Sequence, residues 1–538
     1  MGAPTTIPAM FDAAVRDWAA GTAVIDERDS LSYRELDSLS LAIARSLLAL
    51  GVGRGDMVAG LMRNRVEWIA CFLGCTRIGA AYVPLNTWYT APEIAWTLRH
   101  TGASIVISEP SFLRQDYVET FAGLEPVIAR SNPGEIRGHE VPGLRTLVYL
   151  DAPRPGAFGW EQFLELGRDV SEAAVAERAA SVAASDPALV LYTSGSTAEP
   201  KGVILPHGGV TANGYGIGDR RGIVAGDTIW LGSPLFYGLG ATNSLPVSLS
   251  HGAALLLQDR FDPELALTRI ERYRATVYYG MSNMTRRMAE APGFARSRME
   301  SLVKGTLGIE REERRLVLEQ FGVAGATQSY GATETCGNCL GGFPDDPFEV
   351  KMATCGKLLP GFDARVVDPV SGEPLPEGQP GLLQVRGSLA LGYLNNPSET
   401  EAAFNGEGFY ATGDLGFFDT DGYFHYSGRI KDIIKTGGIN VSPAEIENLI
   451  TSHAEVTEAY VVGVPDRDRG ESIVAFVVAT EMLSETDVQL HVREQAAAFK
   501  SPHRVLFIAR EDVPRTASGK VARPRLKEQA ADALGVAF

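Results

Sequence analysis

Leu191-Tyr-Thr-Ser-Gly-Ser-Thr-Ala-Glu-Pro-Lys-Gly-Val203 is the stretch on which the reading of this chain turns. Ala188–Tyr192 has the composition of a buried strand. It runs into a loop of small and hydroxylated residues, Thr193, Ser194, Gly195, Ser196 and Thr197, closed by Lys201. Small residues let backbone N–H groups approach a phosphate chain, and hydroxyls and a lysine add donors and charge. The loop is not a Walker A loop, because Lys201 is followed by Gly202 rather than Ser or Thr. Taken alone, the stretch also fits an ordinary strand–turn loop.

Upstream of it, helical and strand patterns alternate. Phe11, Val15 and Trp18 share one helical face, and Ser32 with Glu35 makes a capping-box pattern. Leu36, Leu39, Ile43, Leu47 and Leu50 recur at helical spacing, and Gly51 closes that helix. Met57–Met62, Ala81–Pro84 and Ser104–Ser108 read as short buried strands, with helices over Val66–Ile78 and Ala91–Arg99. Such alternation predicts parallel sheets covered on both faces. Residues 125–185 are less regular and read as a surface excursion. From Gly361 the pattern changes to shorter strands with Gly/Pro turns, among them Ala364–Asp368 and Gly381–Arg386, as in a small antiparallel barrel-like unit. Beyond Arg429–Lys431 comes a helix (Pro443–Thr451), then strands (Ala459–Val464, Ser472–Ala479) and a helix (Glu485–Phe499), a compact α+β module. The fold class is therefore multidomain α/β. Two doubly wound α/β subdomains and a barrel-like subdomain make a large N-terminal domain over 1–430, and a small α+β domain spans 431–538.

Composition bounds the function. A length of 538 residues suggests two or three domains. The 49 basic and 66 acidic side chains leave a charge of −17, which argues against general binding to nucleic acid or anionic membrane. The five cysteines are a sparse, odd set, which fits a reducing compartment, the cytoplasm. Cys336 and Cys339 have CxxC spacing, but no second pair or nearby histidines complete a zinc site. The sequence shows no pattern of a signal peptide, and no apolar run of the ~18 residues that a membrane span needs.

Three further motifs carry chemistry. In Tyr330-Gly-Ala-Thr-Glu334 a glutamate after small residues suits Mg²⁺ bridging phosphates. In Thr412-Gly-Asp-Leu415, Asp414 can accept two hydrogen bonds from vicinal hydroxyls, although Gly-Asp is also a common turn. In Pro514-Arg-Thr-Ala-Ser-Gly-Lys520 a lysine sits on a small-residue turn near the C-terminus.

Together with Gly79-Ala-Ala-Tyr-Val-Pro-Leu-Asn86, Gly387-Ser-Leu-Ala-Leu-Gly-Tyr-Leu-Asn-Asn-Pro397 and Gly422–Lys435, these motifs cover nearly the whole chain in order. The chain resembles the AMP-forming acyl-CoA synthetases of the acyl-adenylate-forming superfamily. One departure is Ala198, where the family usually has Gly. The resemblance implies a carboxylic acid, ATP and CoA as substrates, Mg²⁺ as cofactor, and a mobile C-terminal domain. It implies adenine near Gln328 and Ser329, further nucleotide contacts at Tyr330 and Gly331, the α-phosphate near Thr333, and a catalytic part for Thr193 of the phosphate loop, Glu334 and Lys435. It places Mg²⁺ on Glu334, the ribose on Asp414, and ribose or phosphate on Arg429. Lys431 takes the hinge position. Lys435 and Asn440 lie near the adenylate, and Gly437 and Gly438 lie where the CoA arm passes. Lys520 takes the place of the catalytic lysine, neutralising charge on the carboxylate and α-phosphate as the new bond forms. Dimers are common in the family, and no sequence feature marks an interface.

The acid is less legible. Pro234-Leu-Phe-Tyr-Gly-Leu-Gly240 matches a family segment that often has His at Tyr237, between acid pocket and CoA tunnel. A phenol with a pKa near 10 is a poor base at neutral pH, so Tyr237 reads as a gate. Gly238, Gly280, Met281, Leu307, Cys336 and Gly337 are the other candidate pocket residues, apolar and uncharged. They favour a hydrophobic acyl tail over an amino acid. Gly305-Thr-Leu-Gly-Ile-Glu310 replaces the family's Gly-Gly-Ala-Pro adenine loop and resembles a branch with carnitine-type and alicyclic-acid CoA ligases. Two alternatives stay open: a ligase with an amine or carrier-protein thiol as acceptor, and a nucleotide-binding protein without catalysis.

Overall fold

Apolar strands buried on both faces need helices above and below them, and the large domain meets that need with two stacked sheets. The computed structural model describes residues 3–193, 200–436, 439–467, 469–480, 483–516 and 520–536. Met57–Leu61, Ala81–Pro84, Ile105–Ser108, Thr146–Tyr149 and Pro187–Thr193 form the parallel part of an eight-stranded sheet, closed at one edge by antiparallel Lys201–Pro206 and Gly392–Tyr393. The second sheet has nine strands. Its parallel centre runs Gly325–Ala332, Lys304–Leu307, Val277–Tyr279, Thr228–Leu231, Ala254–Leu257 and Thr22–Ile25.

Helices Ile7–Trp18, Tyr33–Ala49, Val66–Arg77, His207–Arg221 and Leu245–His251 contribute to the one apolar cluster that includes residues of both sheets. Ala91–Thr101 and Tyr117–Leu124 cover the far face of the first sheet, and Pro263–Tyr273 and Ser282–Ala289 that of the second. The capping box at Ser32 and the left-handed Gly51 close the Tyr33–Ala49 helix as expected.

Residues 125–185 depart from expectation. Thr146–Tyr149 is a fully buried strand of the eight-stranded sheet, and Trp160–Leu166 and Glu172–Ser181 are helices. A four-residue strand between Pro/Gly-rich turns is too short to show its period. The last predicted helix is also shorter: Glu485–Gln495 ends in an extended Ala496, and a separate turn covers Ala498–Lys500.

The small subdomain is a four-stranded antiparallel sheet of Asp363–Val367, Gly381–Arg386, Tyr410–Phe418 and Phe424–Arg429. The C-terminal module has a five-stranded sheet around the Val456–Asp466/Gly470–Ala479 hairpin. Pro443–Thr451 and Glu485–Gln495 pack on one face of it and Arg523–Leu534 on the other. No helix of the described residues is long and apolar enough to cross a membrane.

Candidate active site

The phosphate-loop stretch folds as a hairpin stem. Pro187–Thr193 and Lys201–Pro206 are antiparallel, with Thr193 opposite Lys201. Ser194, Gly195, Ser196 and Thr197 lie outside the described residues, as do Gly437, Gly438 and the side chain of Asn440. Strand Gly392–Tyr393 pairs with the hairpin's second arm, which brings the Tyr393 phenol under Lys201, whose Nζ lies 5.1 Å from the ring centroid. Lys201 is ion-paired with Glu399. Tyr393 Oη donates to Glu334 Oε1 at 2.8 Å, and Ala390 N donates to the Glu334 carbonyl at 2.8 Å. The 387–397 segment thereby holds both the backbone and the carboxylate of Glu334, and its Tyr393 ring also underlies Lys201. Tyr393 and Tyr410, the latter with its phenol pushed up chiefly by burial and next by the Glu334 charge, were missing from the sequence reading. Tyr393 lies inside the Gly387–Pro397 motif, and that was the available signal.

A second group converges beside the first. Tyr330 Oη donates to Asp414 Oδ2 at 2.5 Å, and Arg429 Nε lies 2.9 Å from Asp414 Oδ1. Asp414 is 5% exposed, yet its Oδ1 accepts no well-formed hydrogen bond among the described residues, leaving acceptor capacity for a ligand hydroxyl. Burial pushes its carboxyl above the ordinary range, opposed first by the Arg429 charge, then by Tyr330 and Lys520. The Lys520 ammonium in turn is lowered, mainly by desolvation and next by Arg429, with Asp414 opposing. Lys520 as a whole residue is exposed. A residue of the C-terminal module thus acts electrostatically on two residues of the large domain.

The remaining predicted positions divide. Ser329 Oγ lies 2.9 Å from Thr306 Oγ1, and the open side of Gly238 faces Thr333 Oγ1 at 4.0 Å from the position a Cβ would take. That puts the Tyr237–Gly238 turn against the Thr333–Glu334 motif. Tyr237 Oη accepts from Asn86 Nδ2 at 3.5 Å, and its ring leans on Phe236 and on the 40% exposed Trp88. Burial raises its phenol pKa further, which leaves still less of the basic phenolate at neutral pH. Asn86 and Trp88 were not singled out from sequence.

Some candidates have other duties. The Gln328 side chain is fully buried and its amide nitrogen donates to Asp346 and Thr354, which braces the loop. Leu307 is fully buried in the core of the second sheet. Cys336 is equally buried, its Sγ packed where a Cβ on Gly209 would fall. Gly337 is buried at φ +130° against Asn213, and Gly280 makes room for the Tyr278 phenol. Apolar or small residues beside a motif read alike whether they line a pocket or fill the core behind it. Met281 is half-buried, just ahead of helix Ser282–Ala289. Lys431 is exposed on the turn Ile430–Asp432. Lys435 is exposed on Ile434–Thr436 and its side chain makes no hydrogen bond or ion pair with the Asp414 group among the described residues. All five cysteines are unpaired and buried.

The family model described as AMP-binding enzyme matches residues 11–394, and that of the AMP-binding enzyme C-terminal domain matches 445–520. The chain is 32% identical to the 3-[(3aS,4S,7aS)-7a-methyl-1,5-dioxo-octahydro-1H-inden-4-yl]propanoyl:CoA ligase of Mycobacterium tuberculosis, over 97% of this chain and 98% of that one. It is 31% identical to 4-coumarate–CoA ligase 5 of Oryza sativa, over 94% and 90% of the two chains. The crystal structure of ATP-bound MatB from Rhodopseudomonas palustris superposes with a TM-score of 0.83 at 29% identity, covering 98% of this chain and 99% of the other.

Proposed function

The chain belongs to the AMP-binding enzyme family, and from that premise we propose that it is an ATP-dependent carboxylic acid–CoA ligase, AMP-forming, specific for a hydrophobic acid. The observation that carries the reading is the convergence of Tyr330 and Arg429 on the buried Asp414, a group that acts electrostatically on Lys520. Two anions, a carboxylate and the α-phosphate of ATP, must meet for the adenylate to form. Fixed positive charge at their meeting point stabilises that transition state. Asp414 accepts the ribose hydroxyls, Arg429 fixes Asp414 and faces the phosphate, and Lys520 supplies the charge. Lys201 and Thr193, at the base of the phosphate loop, hold the phosphates of ATP.

Glu334 is a hard oxygen ligand oriented by the Tyr393 phenol, and that donor chemistry fits Mg²⁺. Bound there, Mg²⁺ would offset phosphate charge. The residue division at 430/431 makes the C-terminal module a unit that turns about Lys431, carrying Lys520 away and bringing the 435–440 segment to the thiol step. Trp88, Phe236, Tyr237 and Met281 offer aromatic and sulfur surface without charge, which supports an apolar acyl tail. The two ligases of ring-bearing acids among the relatives support the same class. The free, buried cysteines support a cytoplasmic location.

The test is mass-spectrometric detection of AMP and acyl-CoA from Mg·ATP and CoA, across aliphatic, aryl and polycyclic acids. Thioester with one structural class is the expected result. AMP or acyl-adenylate without thioester overturns CoA as acceptor and points to a carrier-protein thiol or an amine.

A further inference from the structure

A network of ion pairs joins the C-terminal module to the large domain next to the loop that carries Lys520. Glu458, on strand Val456–Asp466, is 5% exposed. Its Oε1 lies 2.7 Å from Arg510 Nε and 3.3 Å from Nη2 of Arg286, a large-domain residue on helix Ser282–Ala289. Its Oε2 lies 3.1 Å from Arg515 Nη2 and accepts from the Tyr460 phenol. Arg286 is 7% exposed and continues to Glu312 at 3.2 Å and Glu310 at 3.9 Å. Arg510 continues to Glu290 and Glu312, both at 2.7 Å. Each domain therefore sends an arginine into the other's acids: Arg286 reaches Glu458, and Arg510 reaches Glu290 and Glu312.

The location gives the network a consequence for chemistry. Arg515 stands five residues before Lys520. It bridges to Val521, and Thr516 N donates to the Lys520 carbonyl at 2.7 Å, so Arg515 and Lys520 belong to one hairpin. On the other side, helix Ser282–Ala289 follows Met281 of the candidate acid pocket, and Glu310 ends the Gly305–Glu310 loop. Ion pairs this buried are costly to break one partner at a time, because the charge left behind stays desolvated. Any rotation that withdraws Lys520 from Asp414 has to open the Arg286–Glu458 and Arg510–Glu312 pairs together.

We propose that Arg286 and Glu458, continued through Arg510, are positioning residues that latch the Lys520 hairpin in its adenylating orientation. The inference rests on the ligase reading for its catalytic consequence, and on geometry alone for the latch.

Arg286→Ala, Arg510→Ala and the charge-keeping Arg286→Lys test it. Acyl-adenylate formation from Mg·ATP and octanoate or 4-coumarate should fall 10- to 100-fold in the two alanine variants. Thioester formation from the synthetic acyl-adenylate and CoA should stay within about threefold, and Arg286→Lys should recover most of the first activity. Single-molecule energy transfer between dyes on Ser371→Cys and Leu490→Cys, with Mg·ATP alone, should show the alanine variants leaving the wild-type distance. Equal losses in both half-reactions, with that distance unchanged, would overturn the latch. Should the wild type turn over neither acid, the ligase reading fails on the acid panel while the distance measurement still decides the latch. Arg510, half-exposed, covers the case in which Arg286→Ala does not fold.

Discussion

Tyr330 Oη donates to Asp414 Oδ2 at 2.5 Å while Arg429 holds the other carboxylate oxygen at 2.9 Å, so one buried carboxylate joins the second sheet to the last two strands of the small subdomain. Removing the phenol leaves Asp414 with a lost donor in a buried setting, at a cost of about 1–2 kcal/mol. Tyr330→Phe should raise KM for ATP about 3- to 10-fold and lower the urea midpoint. Asp414→Asn removes the charge that Arg429 and the ribose share, and should cost about 100-fold in kcat/KM for ATP. Steady-state kinetics with ATP varied separates the two, and equal effects would mean that Asp414 serves packing alone.

On the ligase reading proposed above, Lys520 acts on developing charge rather than on ground-state binding. Lys520→Ala should lower acyl-adenylate formation by roughly a thousandfold while ATP affinity, measured by calorimetry, changes less than about threefold. A protein that only binds nucleotide would be indifferent in both measurements.

The turn Ile430–Asp432 is the narrow connection between the Phe424–Arg429 strand and the C-terminal module. Proline there fixes φ near −65° and removes a donor. Lys431→Pro should leave adenylate formation nearly intact and reduce thioester formation about 100-fold. Equal loss of both half-reactions would refute Lys431 as hinge.

His207 begins a core helix with its ring fully buried, and Nδ1 accepts from Ile7 N at 3.3 Å. Desolvation pulls its pKa down to about 4, against a partial pull upward from Asp186. The unfolded chain takes up this proton near 6.5, the folded chain only near 4. Its contribution is thus fully present above pH 6.5 and is lost as pH falls toward 4, by about 3 kcal/mol in all. Urea unfolding of wild type and His207→Asn at pH 7, 5.5 and 4.5 should show the variant losing less stability on acidification. Parallel losses would mean that the histidine titrates alike in the folded and unfolded chain, against the lowered pKa.

Much of this was written locally. The capping box at Ser32, the strand–loop–Lys201 stretch, and the motifs at Tyr330, Asp414 and Lys520 each depend on residue type at short spacing, and short spacing is visible in a sequence. So is the change from alternating helices and strands to short antiparallel ones after Gly361. Burial is not local. Leu307 and Cys336 look like pocket walls beside their motifs and are core, because the sheet face behind them is covered. Gln328 spends its amide on Asp346 and Thr354, contacts that exist only once the chain has folded back. Thr146–Tyr149 is too short and too closely flanked by turn residues to announce itself as a strand of the eight-stranded sheet.

Residue type and order along the chain set which side chains are on offer: a small-residue, hydroxyl-rich loop closed by Lys201, the carboxylates of Glu334 and Asp414, and Lys520. Which of them meet depends on how distant segments pack. Glu334 is oriented by Tyr393 from 59 residues away, Asp414 by Tyr330 from 84, and the Lys520 charge acts on Asp414 from the C-terminal module, which pairs Glu458 with Arg286 of the large domain. Those encounters depend on long-range packing and on charges desolvated by it, and neither is encoded in the spacing of neighbouring residues.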